Sequence, residues 1–260
     1  MSAMKMFASE RRNKIMQLLQ DNKRVTIKEL SLEIGVSEAT LRTDLNKLEK
    51  EGMLVRTHGG AVLNEDVENE TSFAVRVKKN KSEKVKIARE AFESIEEKQC
   101  ILLDASSTAL ELARHIKATP IRLTVITSGL LAALELSDNP NITVMMIGGV
   151  VTTNSTSIEG SLGIDMLNHV NIDIMFTSAN GFSIDDGLTD FNLYEVALKQ
   201  EIVSRSKKVI GIIDSSKIGT DSSSVFANID QIDKLITDKP LNSKMSQSLL
   251  EKNIEVVITT

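Results

Sequence analysis

The sequence predicts a small N-terminal winged helix-turn-helix domain followed by a larger α/β domain with a mostly parallel sheet. Three observations predict this fold class. Short helical patterns joined by a glycine turn fill the first sixty residues and lead into a hairpin pattern. From about Lys81, runs of Val, Ile and Leu alternate with helical patterns, as parallel strands covered by helices do. Residues 1–63 carry three more basic than acidic residues, whereas the remainder carries eight more acidic than basic residues.

The length and the amino-acid composition of the chain narrow the class of protein further. A chain of 260 residues with 41% hydrophobic content can build packed cores. No run of 18 apolar residues occurs and MSAMKMFASERR does not resemble a signal peptide, so we expect a cytoplasmic protein with no membrane partner. Cys100 is the single cysteine, lies in an apolar run and is expected to pack in a strand. With only three histidines in addition, neither a metal site nor a cofactor is predicted.

The first sixty residues predict three helices. The second begins at Thr26, where Thr26-Ile27-Lys28-Glu29 has the spacing of a capping box, and ends at Gly35. Ser37 can cap the third helix, which ends at Gly52 and directs Leu41, Leu45 and Leu48 inward. Two short helices joined through a glycine turn form a helix-turn-helix.

In a helix-turn-helix, the second helix of the pair enters the major groove of DNA and reads base edges. The outward residues at the start of that helix, which can reach the bases, are Ser37, Glu38, Thr40, Arg42 and Thr43. The DNA contacts predicted from this helix are Ser37, Thr40, Arg42, Thr43 and Lys47. Arg42 can pair with guanine, whereas Lys47 suits phosphate. Residues 53–63 form the hairpin pattern of a wing, with Arg56 and His58 expected at its tip. The alternative is a three-helix module that binds a protein, in which His58 is merely a turn residue.

The segments SEATLRTDL, at 37–45, and LVRTHGGA, at 54–61, resemble the DeoR family of bacterial repressors. The resemblance implies binding to a double-stranded DNA operator. The family usually has two successive arginines before the aspartate, whereas this chain has Arg42 followed by Thr43. The departure concerns the base preference rather than DNA binding itself.

Beyond the wing, we expect a linker at 64–80 and an effector domain at 81–260. The linker is charged and shows no clear period. Five predicted strands of the effector domain run into small polar residues, and the carboxyl ends of parallel strands share one edge of a sheet, where ligands bind. Hydroxyls and glycines before helices donate to anions, and Lys217 adds a positive charge. A small phosphorylated sugar fits this set of groups.

The resemblance extends to the effector domain through the segments ILLDASST, TVITSG, MMIGG, DDGLTD and IIDSSK. It implies a fold similar to ribose-5-phosphate isomerase and a response to phosphorylated sugars. The predicted effector contacts, from the strand ends and by position in the family, are Asp104, Ser106, Ser107, Thr108, Ser128, Gly129, Gly148, Gly149, Asn180, Glu195 and Lys217. Asp104 is expected to accept from sugar hydroxyls.

Two functions fit these expectations. The first is a transcriptional regulator, a repressor of a sugar-metabolism operon, working as a homodimer or homotetramer because specificity requires two heads. The second is a sugar-phosphate isomerase with an attached DNA-binding domain, in which Glu195 would be the base. The resembling isomerases carry paired aspartates where this chain has Ser178-Ala179-Asn180-Gly181, and Asp185 and Asp186 suit a solvated turn. A regulator that is not an enzyme is therefore favoured.

Overall fold

A computed structural model describes residues 7–50, 53–57, 59–63, 73–151 and 156–259. The chain falls into two compact units, Met1–Val75 and Arg76–Thr260. Of the predicted linker, residues 64–72 lie outside the described residues, and the rest contains a short helix, α4, at Phe73–Lys78. The sequence pattern of the linker did not predict this helix, and the role of residues 64–80 as a connector stays a prediction.

The first unit is a winged helix-turn-helix, as predicted. Its elements in chain order are α1 Ala8–Asn22, β1 Arg24–Thr26, α2 Ile27–Ile34, α3 Glu38–Lys50, β2 Leu54–Thr57 and β3 Gly60–Leu63. The strands form an antiparallel sheet in the order β1-β3-β2. Strand β1 was not expected, since three residues are too few to show a period.

The helix ends follow from the local sequence. Thr26 Oγ1 accepts from the Glu29 N–H at 3.2 Å, and Glu29 Oε2 accepts from the Thr26 N–H at 2.7 Å, which confirms the capping box. Gly35 ends α2 in the left-handed region with φ 74°. A Cβ on Gly60 would lie 1.9 Å from the Val25 carbonyl oxygen, so only glycine lets β3 approach β1.

The second unit is an α/β domain built on a seven-stranded parallel sheet in the order β13-β12-β10-β7-β4-β5-β6. Its strands are β4 Cys100–Leu103, β5 Leu123–Thr127, β6 Ile142–Met146, β7 Ile174–Thr177, β10 Val209–Ile212, β12 Lys234–Thr237 and β13 Glu255–Ile258. Its longer helices are α5 Lys81–Phe92, α6 Ser107–Lys117, α7 Leu130–Ser137, α8 Leu193–Arg205 and α9 Ser243–Glu251. This confirms the predicted fold class.

A second, antiparallel sheet in this unit was not predicted. It has the order β11-β9-β8 and comprises β8 Gly181–Ser183, β9 Gly187–Asp190 and β11 Ser224–Ala227. Asp185 and Asp186 are exposed in the turn between β8 and β9, as the solvated-turn interpretation required. Among the described residues, no helix combines the length and apolar character needed to cross a bilayer.

Candidate functional site

The outward face of α3 is polar and lies opposite the core of the first unit. Leu41, Leu45 and Leu48 are buried. The exposed residues at the start and along the helix are Ser37, Glu38, Ala39, Arg42, Thr43, Asn46 and Lys47. This set recurs every three or four residues, so it forms one stripe that a DNA groove can receive.

Two predicted DNA contacts also stabilise the start of α3. Ser37 Oγ accepts from the Thr40 N–H at 3.3 Å and lies 2.9 Å from Thr40 Oγ1. Thr40 is half-buried, so the hydroxyls of this pair serve as a helix cap. Arg42, in contrast, extends outward and forms an ion pair with Glu38 at 3.4 Å.

The wing is fastened to α3 through its arginine. Arg56 lies within β2 rather than at the tip of the hairpin, which corrects its expected position. Its Nη1 donates to Asn46 Oδ1, and its backbone N–H donates to Glu49 Oε1 at 3.0 Å. The antiparallel pairing of β2 with β3 places Arg56 opposite Ala61, inside the ladder. His58, the other predicted wing contact, lies outside the described residues.

In the second unit, Asp104 follows β4 and joins two neighbouring strand ends. Its Oδ1 accepts from the Ser106 N–H at 3.0 Å. Its Oδ2 accepts from Thr177 Oγ1 at 2.8 Å and from the Ser178 N–H at 2.9 Å. Asp104 is 1% exposed, and these donors occupy both oxygens. The structure thus gives Asp104 a positioning role instead of the expected role of accepting from sugar hydroxyls.

A buried lysine that sequence reasoning missed lies beside Asp104. Lys199, on α8, is 3.0 Å from Asp190 Oδ2 and 3.4 Å from Asp104 Oδ2. Burial alone would lower the pKa of Lys199, but Asp190 and Asp104 raise it overall. Lys199 therefore stays charged and compensates two buried carboxylates. The available signal was its spacing, four residues after Glu195 on one helix face.

Asn180 also belongs to this cluster. Its Nδ2 donates to Asp190 Oδ1 at 2.6 Å, and the Phe191 N–H donates to the same oxygen at 2.8 Å. Asp190 was missed because it ends β9, one of the strands that were not predicted. Burial raises the pKa of Asp190 and Lys199 lowers it more strongly, so the carboxyl is ionised.

Glu195 lies at the start of α8 and contacts a segment that was not predicted as part of the site. Ser157 Oγ donates to Glu195 Oε1 at 3.0 Å. Asn192 Nδ2 donates to Glu159 Oε1 at 3.1 Å, which brings a further carboxylate to the same place. Burial, with the negative charge of Asp190, raises the pKa of Glu195 to about 7.

The predicted residues after β5 and β6 meet that same segment. The Ile158 N–H donates to the Ser128 carbonyl at 2.8 Å, and Gly129 pairs with Ser157 in an antiparallel bridge. A Cβ on Gly149 would lie 2.4 Å from the Glu159 carbonyl oxygen, so this glycine permits close packing. Beside Gly148, a Cβ on Gly163 would lie 2.3 Å from the Gly148 carbonyl oxygen, whereas a Cβ on Gly148 would lie 3.9 Å from Gly163 Cα. These positions shape the site through their backbones.

The serines and threonine after β4 form the entry to α6. Ser106 Oγ accepts from the Ala109 N–H at 3.1 Å and caps the helix. Ser107 and Thr108 are 5% and 2% exposed in the first turn. The helix N-terminus itself faces the strand edge, and its N–H groups favour an anion.

Lys217 follows β10 in a positively charged environment. Burial lowers the pKa of Lys217, Asp214 opposes this, and the positive charges of Lys79 and Arg76 lower it further. Asp214 Oδ1 accepts from the Ser216 N–H at 3.1 Å and from Asn80 Nδ2 at 2.9 Å. Binding of an anion would relieve the repulsion among these cations.

A cavity of about 440 Å³ lies beside the end of β10. Its walls include Asn80, Ser216 and Lys239 and also the carboxylates Glu83 and Asp238, whereas Lys217 is not one of the residues that line it. This volume is within the range of roughly 300–1,000 Å³ typical of small-molecule sites. Among the described residues, no group of three or more His, Cys, Asp or Glu is arranged to hold a metal ion.

A winged helix-turn-helix with an outward polar helix, on the same chain as a parallel α/β unit with a polar strand edge, defines a DNA-binding regulator with a sensor domain. Residues 11–67 match the DeoR-like helix-turn-helix domain, and residues 79–239 match the DeoR C terminal sensor domain. The chain belongs to the DeoR family.

Named relatives match nearly the whole chain. The HTH-type transcriptional regulator GolR of Listeria innocua is 45% identical over 97% of this chain and 99% of its own length. The transcriptional repressor GlcR of Bacillus subtilis is 32% identical over 98% and 97%, respectively. These relatives are regulators, and this chain is accordingly a transcriptional regulator and not an enzyme.

Solved structures show a weaker likeness. Ribose 5-phosphate isomerase A from Methanocaldococcus jannaschii has a TM-score of 0.41 and 17% identity, covering 54% of this chain and 55% of its own. A likeness at this level says nothing about the ligand. The ligand must be inferred from the side chains of the sensor unit itself.

Proposed function

We propose that the protein represses genes of sugar metabolism and that a phosphorylated sugar, bound at the strand edge of the sensor unit, changes its affinity for DNA. The observation that carries this proposal is the set of groups at one edge of the parallel sheet that suit an anion: the hydroxyl of Ser106, the first turn of α6 and the ammonium of Lys217. The names of the relatives support repression, since GlcR of Bacillus subtilis and a putative aga operon protein of Escherichia coli O157:H7 are called repressors.

The phosphate is proposed to bind near Lys217 and the N-terminus of α6. Lys217 is half-buried, and burial, with the positive charges of Lys79 and Arg76, lowers its pKa against the opposing effect of Asp214. An anion bound beside Lys217 would favour its charged form. The sugar hydroxyls then face Glu195 and Asn180, while Ser128, Gly129, Gly148 and Gly149 shape the wall. Asp104 holds the strand ends without touching the ligand.

We propose that residues 1–63 bind DNA and that residues 81–260 bind the effector. Residues 64–80 are proposed to link these two domains. Recognition is proposed to use Ser37, Thr40, Arg42, Thr43 and Lys47 of α3 with Arg56 and His58 of the wing. A homodimer or homotetramer in the cytoplasm would present two heads to a palindromic operator. A monomer in sedimentation that still binds its operator tightly would rule out this assembly.

A gel-shift experiment tests the effector. DNA from upstream of the gene and its neighbours is bound by the full chain and challenged with hexose and pentose phosphates. One of these sugars should change the fraction of DNA bound, whereas the unphosphorylated sugar should not. A panel without any effect would refute the sugar-phosphate proposal while leaving DNA binding intact.

A variant at Lys217 tests the site. Lys217→Ala should still bind DNA and should lose most of the response, because a charge-assisted contact to phosphate contributes about 1.5–3 kcal/mol. Lys208→Ala removes the same charge from an exposed position of this unit and should respond normally. Equal responses from both variants would place the phosphate elsewhere.

A further inference from the structure

The first turn of α3 carries an acid on the proposed DNA-reading face. Glu38 forms an ion pair with Arg42 at 3.4 Å, and the two side chains are 46% and 55% exposed. A carboxylate at this place is repelled by the phosphate backbone, so it weakens binding to DNA in general. It contributes favourably only where it meets a donor, and in the major groove the donors are the amino groups of cytosine and adenine. Adenine carries the acceptor N7 beside its amino group, which repels a carboxylate, so cytosine is the favoured partner.

The next outward residue, Thr43, has a hydroxyl that forms a hydrogen bond within the helix and a methyl group that does not. Thr43 Oγ1 donates to the Ala39 carbonyl oxygen at 3.2 Å, so its hydrogen is spent within the helix. Both Thr43 and Ala39 are exposed, and four residues separate them on one helix face. Two neighbouring methyl groups form a small apolar spot, which suits the C5-methyl group of thymine.

We propose that α3 reads three kinds of base edge: guanine through Arg42, cytosine through Glu38, and thymine through the methyl pair of Ala39 and Thr43. This inference rests on the proposed placement of α3 in the major groove. Residues four apart rise by about 6 Å along a helix, which spans about two base-pair steps. The guanine and cytosine therefore fall within about two base pairs of each other in each half-site.

The Arg42–Glu38 ion pair also weakens binding to DNA sites that lack the matching bases. Without matching bases, Arg42 and Glu38 satisfy each other, and opening the pair exposes a carboxylate to phosphates. When both bases are present, the ion pair opens, Arg42 binds the guanine and Glu38 binds the cytosine. Specificity thus comes from a repulsive element as well as an attractive one.

Selection from random DNA tests the cytosine contact without knowledge of the operator. The full-length protein and Glu38→Gln are each used to enrich a randomised duplex pool. The unaltered chain should select a guanine and a cytosine within about two base pairs, and Glu38→Gln should lose the cytosine preference by roughly 5- to 150-fold. Glu33→Gln, an exposed acid on α2, should strengthen binding to all sequences alike and keep the motif. An unchanged motif with Glu38→Gln would overturn the cytosine assignment.

A pair of substitutions tests the thymine contact. Thr43→Val keeps the methyl group and Thr43→Ser keeps the hydroxyl, so only Thr43→Ser should lose the thymine preference. Replacing that thymine by uracil in the selected duplex should weaken binding of the unaltered chain and of Thr43→Val more than binding of Thr43→Ser, which keeps only the methyl group of Ala39. Equal sensitivity of all three proteins to uracil would refute the methyl contact.

The variant Arg42→Ala distinguishes a failure of the proposed base contacts from a failure of the proposed placement of α3 in the major groove. If Arg42→Ala changes the selected motif and Glu38→Gln does not, α3 reads DNA but Glu38 does not. If neither Arg42→Ala nor Lys47→Ala affects DNA binding, the placement of α3 fails, and the proposed base code fails with it. Unaltered thermal unfolding of each variant shows that the effects arise at the DNA contact.

Discussion

The outward face of α3 and the buried cluster around Lys199 use similar residues in opposite ways. Arg42 and Glu38 form an exposed pair with about half of each side chain open to solvent. Lys199 and Asp190 form a pair at 3.0 Å whose side chains are 8% and 7% exposed. An exposed pair contributes little to folding and stays available to a partner, whereas a buried pair is committed to the fold. The location of a charge thus decides whether it reads a ligand or holds a site together.

The same contrast appears in the hydrogen bonds. At the start of α3, from Ser37 to Thr43, the polar groups bond to residues three or four positions away in the chain, such as Thr43 to Ala39. Around Asp104, the donors come from Ser106 and from Thr177, which lies 73 positions later in the chain. A local network survives small distortions, whereas a long-range network exists only in the complete fold. Substitutions in the two regions should therefore differ in both size and kind of effect.

The largest effect is expected for Lys199→Met. Removing the ammonium leaves Asp104 and Asp190 buried without its charge, at a cost of about 3–5 kcal/mol in the free energy of unfolding. The chain has one tyrosine, Tyr194, and no tryptophan, so tyrosine fluorescence during urea unfolding follows the sensor unit. Lys207→Met, whose ion pair with Asp173 is exposed on the lysine side, should cost less than about 1 kcal/mol. Similar losses of unfolding free energy in Lys199→Met and Lys207→Met would contradict the difference between buried and exposed ion pairs.

A smaller effect is expected in the first unit for Asp44→Asn. The Arg11–Asp44 pair joins α1 to α3 and has side chains that are 13% and 7% exposed. Because asparagine is neutral but still accepts a hydrogen bond, this change should lower the free energy of unfolding by about 1–3 kcal/mol. Far-UV circular dichroism should then show an earlier transition that tyrosine fluorescence does not follow. The exposed Asp21→Asn serves as the control, and a shift in the tyrosine signal would contradict independent unfolding of the two units.

Glu195→Gln should change the pH dependence of the sensor unit. Because the pKa of Glu195 is raised to about 7 in the fold, its protonated form stabilises the fold below about pH 4.5, and this contribution is lost as pH rises to about 7. Relative to Glu195→Gln, the unaltered chain should lose up to about 2 kcal/mol between about pH 5 and about pH 8. Urea unfolding followed by tyrosine fluorescence measures this difference. Parallel curves for the two proteins would show that Glu195 does not titrate in this range.

The smallest effect on stability is expected for Arg42→Ala. Its ion pair with Glu38 is exposed, so the free energy of unfolding should change by less than about 0.5 kcal/mol. DNA selection with the same variant should nevertheless lose a guanine preference. A loss of stability above about 1 kcal/mol, measured by circular dichroism, would show that the reading face also supports the fold.

The sequence by itself determined the fold class of each unit and the recognition helix. Capping residues, Gly35 and the leucine stripe act within a few residues, so the stripe opposite Leu41 and Leu45 follows from helical periodicity alone. The runs of Val, Ile and Leu likewise predicted the parallel sheet, and the motif at residues 37–45 indicated the DeoR family.

Only the tertiary structure decided which polar residues meet in the sensor unit. Asp190 ends a short strand without a visible period, and Ser157 reaches Glu195 across 38 positions. Asp104 was expected to meet a ligand, but its oxygens are occupied by donors from its own strand end, from a neighbouring strand end and from α8. Periodicity reports which face of an element is buried, whereas the order of strands in a sheet brings distant groups together. The recognition face could therefore be predicted from the sequence, and the buried cluster could not.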